Sequence, residues 1–408
     1  MKGVLKYALL LLAASSCISP LAPEDPSSAS QVRVKVVMPE KYAGVVDIKD
    51  VTVKMQSGSL PVSFTASPDA DSCVTFKVSQ DRYSILASYY NVSTRVSVAG
   101  RSREFILTGE DLVYPDGSRE KPELTVNLSV AVPSPIVIRE FYYHGSTTSD
   151  GSSSYTKDRY VEIFNNNGEG GEVYYLDSLC IAGIFPYNST ASNTAWTDAD
   201  TLAIGSFYWI VPGRGHDYPL APGESAVIAL IAAVDHSGRS SSGLHLERAH
   251  FGCYDEGLSG HEIDARVPKM IRGDGGQGTA WAVSIHSPAF VLFRPEMGLA
   301  AYRADAATWE KYEPGKTSGT KYWHIASSWI LDGVECYDSS VGALKRLPSS
   351  VDVSYAMMKS SHYSGKCIRR RLDEVASTAS VEVYMDTNNS LADFITDADL
   401  SPRLKTEE

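Results

Sequence analysis

The chain has 408 residues with 37 basic and 49 acidic side chains (net charge −12), and it is 43% hydrophobic and 21% charged. That balance is globular rather than disordered; without a basic stripe to neutralise phosphates, it excludes nucleic acid as a partner. The 23 Tyr, 11 Phe and 6 Trp beside 31 Gly and 20 Pro favour strands and turns over long helices, so an all-β chain of two or three domains is expected.

Lys2 and Lys6 lead into an apolar run over residues 7–14, and Ala14, Ser15 and Ser16 stand directly before Cys17. Basic, apolar and small residues in that order predict a secretory signal over residues 1–16, because the run is too short to cross a bilayer. A cysteine after small residues resembles the lipobox of bacterial lipoproteins, with Ala14 where the common pattern has Leu. The resemblance implies lipidation at Cys17 and attachment to the membrane through it. No later segment reaches ~18 apolar residues. Residues 17–31 are rich in Pro and Ser and predict a tether. Five cysteines follow Cys17, namely Cys73, Cys180, Cys253, Cys336 and Cys367. They show no CxxC spacing; most are expected to be buried apolar residues, with one disulfide open.

Residues 32–132 alternate apolar and polar positions: Val32, Val34 and Val36; Val51, Val53 and Met55; Leu124, Val126, Leu128, Val130 and Val132. Period two predicts half-buried strands of a small antiparallel sandwich. A polar turn, a strand over 74–78, a second turn and a strand over 83–89 are similar to the carboxypeptidase-regulatory and transthyretin-like modules, with Cys73 where those have Gly. Pro133 and Pro135 break the pattern, and a second domain is expected over 136–403. Its strand patterns are IVIREFYY (136–143), RYVEIFNN (159–166), VYYLDSLCIAG (173–183), FYWIVPG (207–213), YPLAPGESAVIALIAAVDH (218–236), AFVLFRP (289–295) and WILDGVECYD (329–338).

Glu140, Tyr160 to Asn165, Leu220 to Ala229, Asp332 to Glu335, Gly365 to Arg370 and Asp386 to Phe394 together resemble the lamin-tail domain, an immunoglobulin-like sandwich. The second strand is followed by Leu176-Asp177-Ser178-Leu179 where that pattern has Leu-Ser-Gly-Trp, and residues 237–279 and 296–322 are long insertions. Lipobox, small sandwich and enlarged lamin-tail-like domain in this order resemble an uncharacterised family of Bacteroidetes lipoproteins known only as domain of unknown function 4876. The resemblance implies an all-β protein in the cell envelope, anchored at the outer membrane, with transport or surface complexes as partners. The insertions are expected to be loops carried on a rigid scaffold, where function concentrates.

Four constellations invite a chemical reading. His245, His250, Cys253 and His261, with Asp255 and Asp264 between and beyond them, offer imidazole, thiolate and carboxylate ligands suited to a zinc-like ion; a polar surface loop is the plainer expectation. Asp386, Asn388, Ser390 and Asp393 place oxygen ligands at calcium-loop spacing, but Leu391 occupies the place where such a turn needs Gly. Glu140 and Glu162 on adjacent strands could form the carboxylate pair of a glycosidase, yet the lamin-tail pattern has Glu at both positions and makes them fold residues. Tyr187, Trp196, Tyr208 and Trp209, with Tyr142, Tyr143 and Tyr155, are candidates for a binding surface, since such rings bury area while keeping a polar handle. Arg369, Arg370 and Arg371 form a basic run read as a solvated strand end. There is no HExxH, P-loop, GxGxxG or nucleophile elbow.

The expected function is therefore that of a lipid-anchored, non-enzymatic binding or accessory protein with a protein or glycan partner in the envelope and no cofactor. Metal or haem-iron acquisition through residues 245–264 is the first alternative, and a glycan hydrolase using Glu140 and Glu162 the second.

Overall fold

The computed structural model describes residues 30–406 apart from 41, 42, 45, 58–61, 80–82, 90–105, 114–122, 132, 190–199, 276–280, 282, 314, 339–344, 349 and 375. The signal segment, Cys17 and Trp196 lie outside the described residues. The fold is all-β, as the strand patterns predict. No helix among the described residues is long and apolar enough to cross a membrane.

Two sheets form the amino-terminal unit. One orders Cys73–Val78, Ser30–Val37 and Glu123–Asn127; the other orders Ser63–Ala66, Thr52–Ser57, Tyr83–Tyr89, Ile106–Val113 and Ser129–Ala131. The alternating residues meet between them: Val32, Val34, Val36, Val53, Met55, Phe76, Ile85 and Val126 share one core. Period two thus converts directly into a buried face, because successive strand side chains point to opposite sides.

The larger unit is built on two six-stranded sheets. The first runs Phe251–Gly252, Ser225–Ala229, Tyr160–Asn165, Ile136–Tyr142, Lys366–Arg370 and Phe394–Asp399; the second runs Ile271–Arg272, Trp209–Ile210, Cys180–Gly183, Ala289–Phe293, Ile330–Tyr337 and Ala356–Met357. Ile138, Phe141, Val161, Ile163, Ile228 and Ile368 of the first sheet pack on Ile181, Trp209, Phe290, Leu292 and Val334 of the second, with the Phe141 and Phe290 rings stacked at 4.9 Å.

The outer faces are covered as well: the long insertions, expected as loops, lie over the sheets as packed layers. Leu244, Leu246, Ala249 and Val267 from the 237–279 insertion close over Tyr142, Tyr160, Val227 and Cys367 on the outside of the first sheet. On the outside of the second sheet, Tyr302 of the helix Leu299–Ala304 joins Trp323 and Ile325 of the strand Lys321–Ala326. These residues pack against Cys180, Ala182, Val291 and Phe293. Strands buried on both faces read as continuous apolar runs rather than alternations, and AFVLF is buried at all five positions.

Asp177 in the departure from the Leu-Ser-Gly-Trp pattern has a structural task. Its carboxylate accepts from the backbone N–H groups of Gly215 (2.9 Å), Asp217 (3.0 Å) and Tyr218 (2.9 Å). Burial opposes its ionisation, but these donors outweigh burial and hold it below the ordinary carboxylate range. Gly213 sits at φ +127° against it, and a Cβ there would lie 2.0 Å from Asp177 Oδ1, so the turn requires glycine.

Candidate functional site

The strand Ile136–Tyr142 carries the first group of interest. Its register against Tyr160–Asn165 shifts at Glu162/Ile163, so that Glu162 pairs with Glu140 while Ile163 pairs with Ile138. Such a bulge puts two consecutive residues on one face, and Arg139 and Glu140 both turn away from the core between the sheets. Arg139 Nη1 donates to Glu162 Oε2 at 2.7 Å and lies 3.6 Å from Glu140 Oε2. Arg369 Nε donates to Glu140 Oε2 (2.7 Å), Ser401 N to Glu140 Oε1 (2.8 Å), and the Tyr160 hydroxyl also donates to Oε1. Burial raises the Glu162 carboxyl above its ordinary value while Arg139 pulls it back. Both glutamates are fully buried beneath the carboxy-terminal residues Ser401 and Arg403. A glycosidase pair must flank an open gap of ~5–9.5 Å for a sugar or water; these carboxylates are instead filled by arginines of the same chain.

Arg370, expected as part of a solvated strand end, is buried between three aspartates. It reaches Asp332 Oδ2 at 2.5 Å, Asp386 Oδ1 at 3.2 Å and Asp393 Oδ2 at 3.6 Å. Burial pushes Asp332 up to about 7 and Asp393 up to about 6 against the pull of Arg370. This network accounts for the residues read as a calcium loop. Asp386 also accepts from Ser134 N (2.6 Å), Asn388 donates to Ser350 O (2.9 Å), Ser390 Oγ donates to Asp352 (2.5 Å), and Asp393 accepts from Thr387 N and Oγ1 (2.8 Å each). Asp386 and Asp393 share Arg370, whereas Asn388 and Ser390 serve Ser350 and Asp352, so the four do not gather around one point.

The cluster expected at 245–264 also separates. His245 is on the surface beside Glu247 (3.1 Å) and Asp235 (3.4 Å). His250 Nδ1 accepts from Val227 N at 3.1 Å, and burial, with Lys405 nearby, pushes its imidazole down to about 4. Cys253 lies in the core between the sheets, 3.8 Å from the Met270 sulfur, and burial holds its thiol well above its ordinary value. His261 directs its ring nitrogens at the carbonyls of Cys253 (2.7 Å) and Trp281 (3.0 Å). Closeness in sequence does not bring these side chains together. All five described cysteines are free and buried, so the disulfide left open does not form among them.

Of the aromatic candidates, Tyr208 and Trp209 are fully buried on opposite faces of the second sheet, as are Tyr142 and Tyr143 on the first; these are core rings, not binding rings. Tyr187 is different. It is 47% exposed and lines a shallow recess with Gly183, Gly205, Trp281 and Ser284. Its ring edge would lie 3.0 Å from a Cβ on Gly205, so glycine lets the ring lie flat on the floor. Phe185 packs against both Tyr187 (5.3 Å) and Tyr322 (4.5 Å).

The loop over 284–288 that walls this recess also reaches a cluster the sequence reading missed. His144 Nε2 lies 3.2 Å from Asp338 Oδ1; His362 Nε2 and His286 Nδ1 lie 2.8 and 3.5 Å from Asp338 Oδ2. His144 is buried, whereas the His362 and His286 side chains are 31% and 54% exposed. The rings of His362 and His286 approach edge to face at 4.2 Å. Burial opposes the Asp338 charge, but hydrogen bonds from His144 and His362 outweigh it and hold the carboxyl below its ordinary value. The four residues come from the ends of strands in both sheets, and no local spacing in the sequence connects them.

Comparison with known proteins follows the fold. Residues 221–401 match the family described as protein of unknown function DUF4876, and no curated protein matches the chain. Among solved structures, the chain is similar to a DUF4876 family protein from Bacteroides thetaiotaomicron, at 24% identity and TM-score 0.59 over 92% of this chain and 96% of that one. A candidate adhesin from Bacteroides ovatus aligns at 12% identity and TM-score 0.20 over 65% of this chain and 78% of that one. The similarity to the DUF4876 family is thus carried by residues 221–401, less than half of the chain.

Proposed function

We propose that this protein is a lipid-anchored binding or accessory protein of the cell envelope, held at the outer membrane through Cys17 and acting without covalent catalysis on a protein or glycan partner of a transport or surface complex. The observation that carries the reading is the recess of Tyr187. An aromatic ring half exposed over a glycine floor, backed by Phe185 and Tyr322, suits recognition of a flat apolar surface such as a sugar face or an extended peptide. The buried state of Glu140 and Glu162 supports a binding role over glycan hydrolysis, because both Glu140 oxygens and Glu162 Oε2 already serve Arg369, Ser401 and Arg139.

Anchoring and recognition are tested together in cells producing the full chain. Cys17→Ala is expected to move the protein from the membrane to the soluble fraction, and Tyr187→Ala to leave it anchored while lowering partner or glycan capture about tenfold, the scale of one aromatic hot spot. Membrane retention of Cys17→Ala, or unchanged capture by Tyr187→Ala, contradicts the corresponding half of the proposal.

A further inference from the structure

We infer that His144, Asp338 and His362 form a binding site for one divalent transition-metal ion of the zinc class, with His286 at its edge as the outer fourth group. Metal–ligand bonds of about 2.0–2.1 Å arranged tetrahedrally put neighbouring ligand atoms ~3.3 Å apart. The three nitrogens approach the Asp338 carboxylate at 2.8, 3.2 and 3.5 Å, and the ligand atoms of His144, Asp338 and His362 all lie within 4.8 Å of one another. Two imidazoles and one carboxylate, with a third imidazole alongside, match the nitrogen-rich set that zinc prefers and lack the several oxygens that calcium or magnesium requires.

The backbone around the site is held in place by bonds outside it. Ser287, next to His286, has φ +48°, and Tyr363, next to His362, has φ +63°; residues other than glycine adopt such angles at a cost, and such positions concentrate at functional sites. Ser287 Oγ accepts from Asp338 N at 2.8 Å, and Ser287 O accepts from Arg346 Nη2 at 2.6 Å. Tyr363 N donates to His144 O at 3.2 Å, and Gly365 N to Gly145 O at 3.1 Å. These bonds fix the loop of His286 against Asp338 and the turn of His362 against His144, which is the preorganisation a metal site needs. A bound ion would tie the end of the strand Ile136–Tyr142 in the first sheet to the end of Ile330–Tyr337 in the second. His286, the most exposed ligand, would be the one to exchange.

The other group of suitable composition among the described residues, Asp235, His245 and Glu247, is exposed at the surface and serves as the control. The full chain, stripped with chelator, is titrated with zinc chloride by calorimetry, and its metal content is measured after dialysis. One zinc per chain is expected. His362→Ala and Asp338→Asn should each weaken binding ~100-fold and His286→Ala ~10-fold, the scale seen when metal-site partners are removed, while His245→Ala should leave it unchanged. Circular dichroism on each variant separates lost ligation from lost folding, and the exposed His286 and His362 provide variants that spare the core if changes at Asp338 do not fold. Failure of the unsubstituted chain to retain zinc overturns the assignment. So does retention of zinc by folded His362→Ala and His286→Ala chains, or its loss in His245→Ala.

Discussion

One strand serves two polar clusters of opposite design. Ile136–Tyr142 carries Arg139 and Glu140 into a closed network on the outer face of its sheet, and two residues past its end His144 enters a half-open cluster with His286, Asp338 and His362. In the first, arginines face carboxylates and the carboxy-terminal segment covers them. The Arg370 network is equally enclosed, with one cation among three aspartates. Breaking such buried charge systems leaves an ion unpaired in a poor solvent, so they act on stability. In the histidine cluster, three imidazoles converge on one carboxylate and two of them reach solvent. Imidazoles can turn their lone pairs to an external ion, whereas guanidinium groups have none to offer. Clustering of titratable groups is thus common to both regions; the type of partner separates a fold element from a ligand site.

That contrast can be broken by substitution, beginning with its strongest side. Arg370→Met leaves Asp332, Asp386 and Asp393 buried without their cation and should cost at least about 3–5 kcal/mol in urea unfolding; a loss below about 1 kcal/mol would show that the network does not hold the sheets. Glu140→Gln removes charge-assisted bonds to Arg369 and Ser401 and should cost about 2–3 kcal/mol, seen as a lower denaturation midpoint.

The pH profile is next in size. Burial pushes Asp332 up to about 7 and Asp393 up to about 6 in the folded chain, above the unfolded value. The folded state therefore binds more protons. Their contribution is complete below the unfolded carboxylate range and is lost as pH rises through the folded values, while His250, lowered to about 4, works the other way; between pH 5 and 8 the unsubstituted chain should therefore lose on the order of 2 kcal/mol relative to Asp332→Asn. Asp338 is shifted the other way, and its contribution disappears only on acidification below the ordinary carboxylate range. A stability difference from Asp332→Asn that stays constant between pH 5 and 8 would contradict the raised carboxyl in the Arg370 network. The smallest effect is expected at the other cluster, where His362→Ala without added metal should change stability by less than about 1 kcal/mol, because the side chain is part exposed and forms no part of a core.

The all-β fold was legible because its signal is local. Val32, Val34 and Val36 alternate in the sequence and are buried together, and AFVLF reads as a strand buried on both faces. That second pattern also implied covering layers, a consequence the sequence reading did not draw. The layers come from residues 237–279 and 296–322, where Leu246, Val267 and Tyr302 are buried but stand too far apart to show a period. Candidate sites were less legible. His245, His250, Cys253 and His261 are neighbours in sequence, yet strand and turn geometry sends one to the surface and one into the core. His144, His286, Asp338 and His362 are distant in sequence and meet only because their strands end at the same edge of the sandwich. The Glu140–Glu162 pairing was readable from the strand pattern, whereas their neutralisation by Arg139 and Arg369 depends on a bulge and on a strand from the far end of the chain.

The most direct test places His362→Ala and Glu140→Gln side by side, measuring zinc uptake and unfolding midpoint on the same full-length preparations. If the two clusters differ as described, His362→Ala loses zinc uptake and keeps its midpoint without metal, while Glu140→Gln keeps one zinc per folded chain and unfolds earlier. The reverse pattern, or two variants indistinguishable in both measurements, would contradict it.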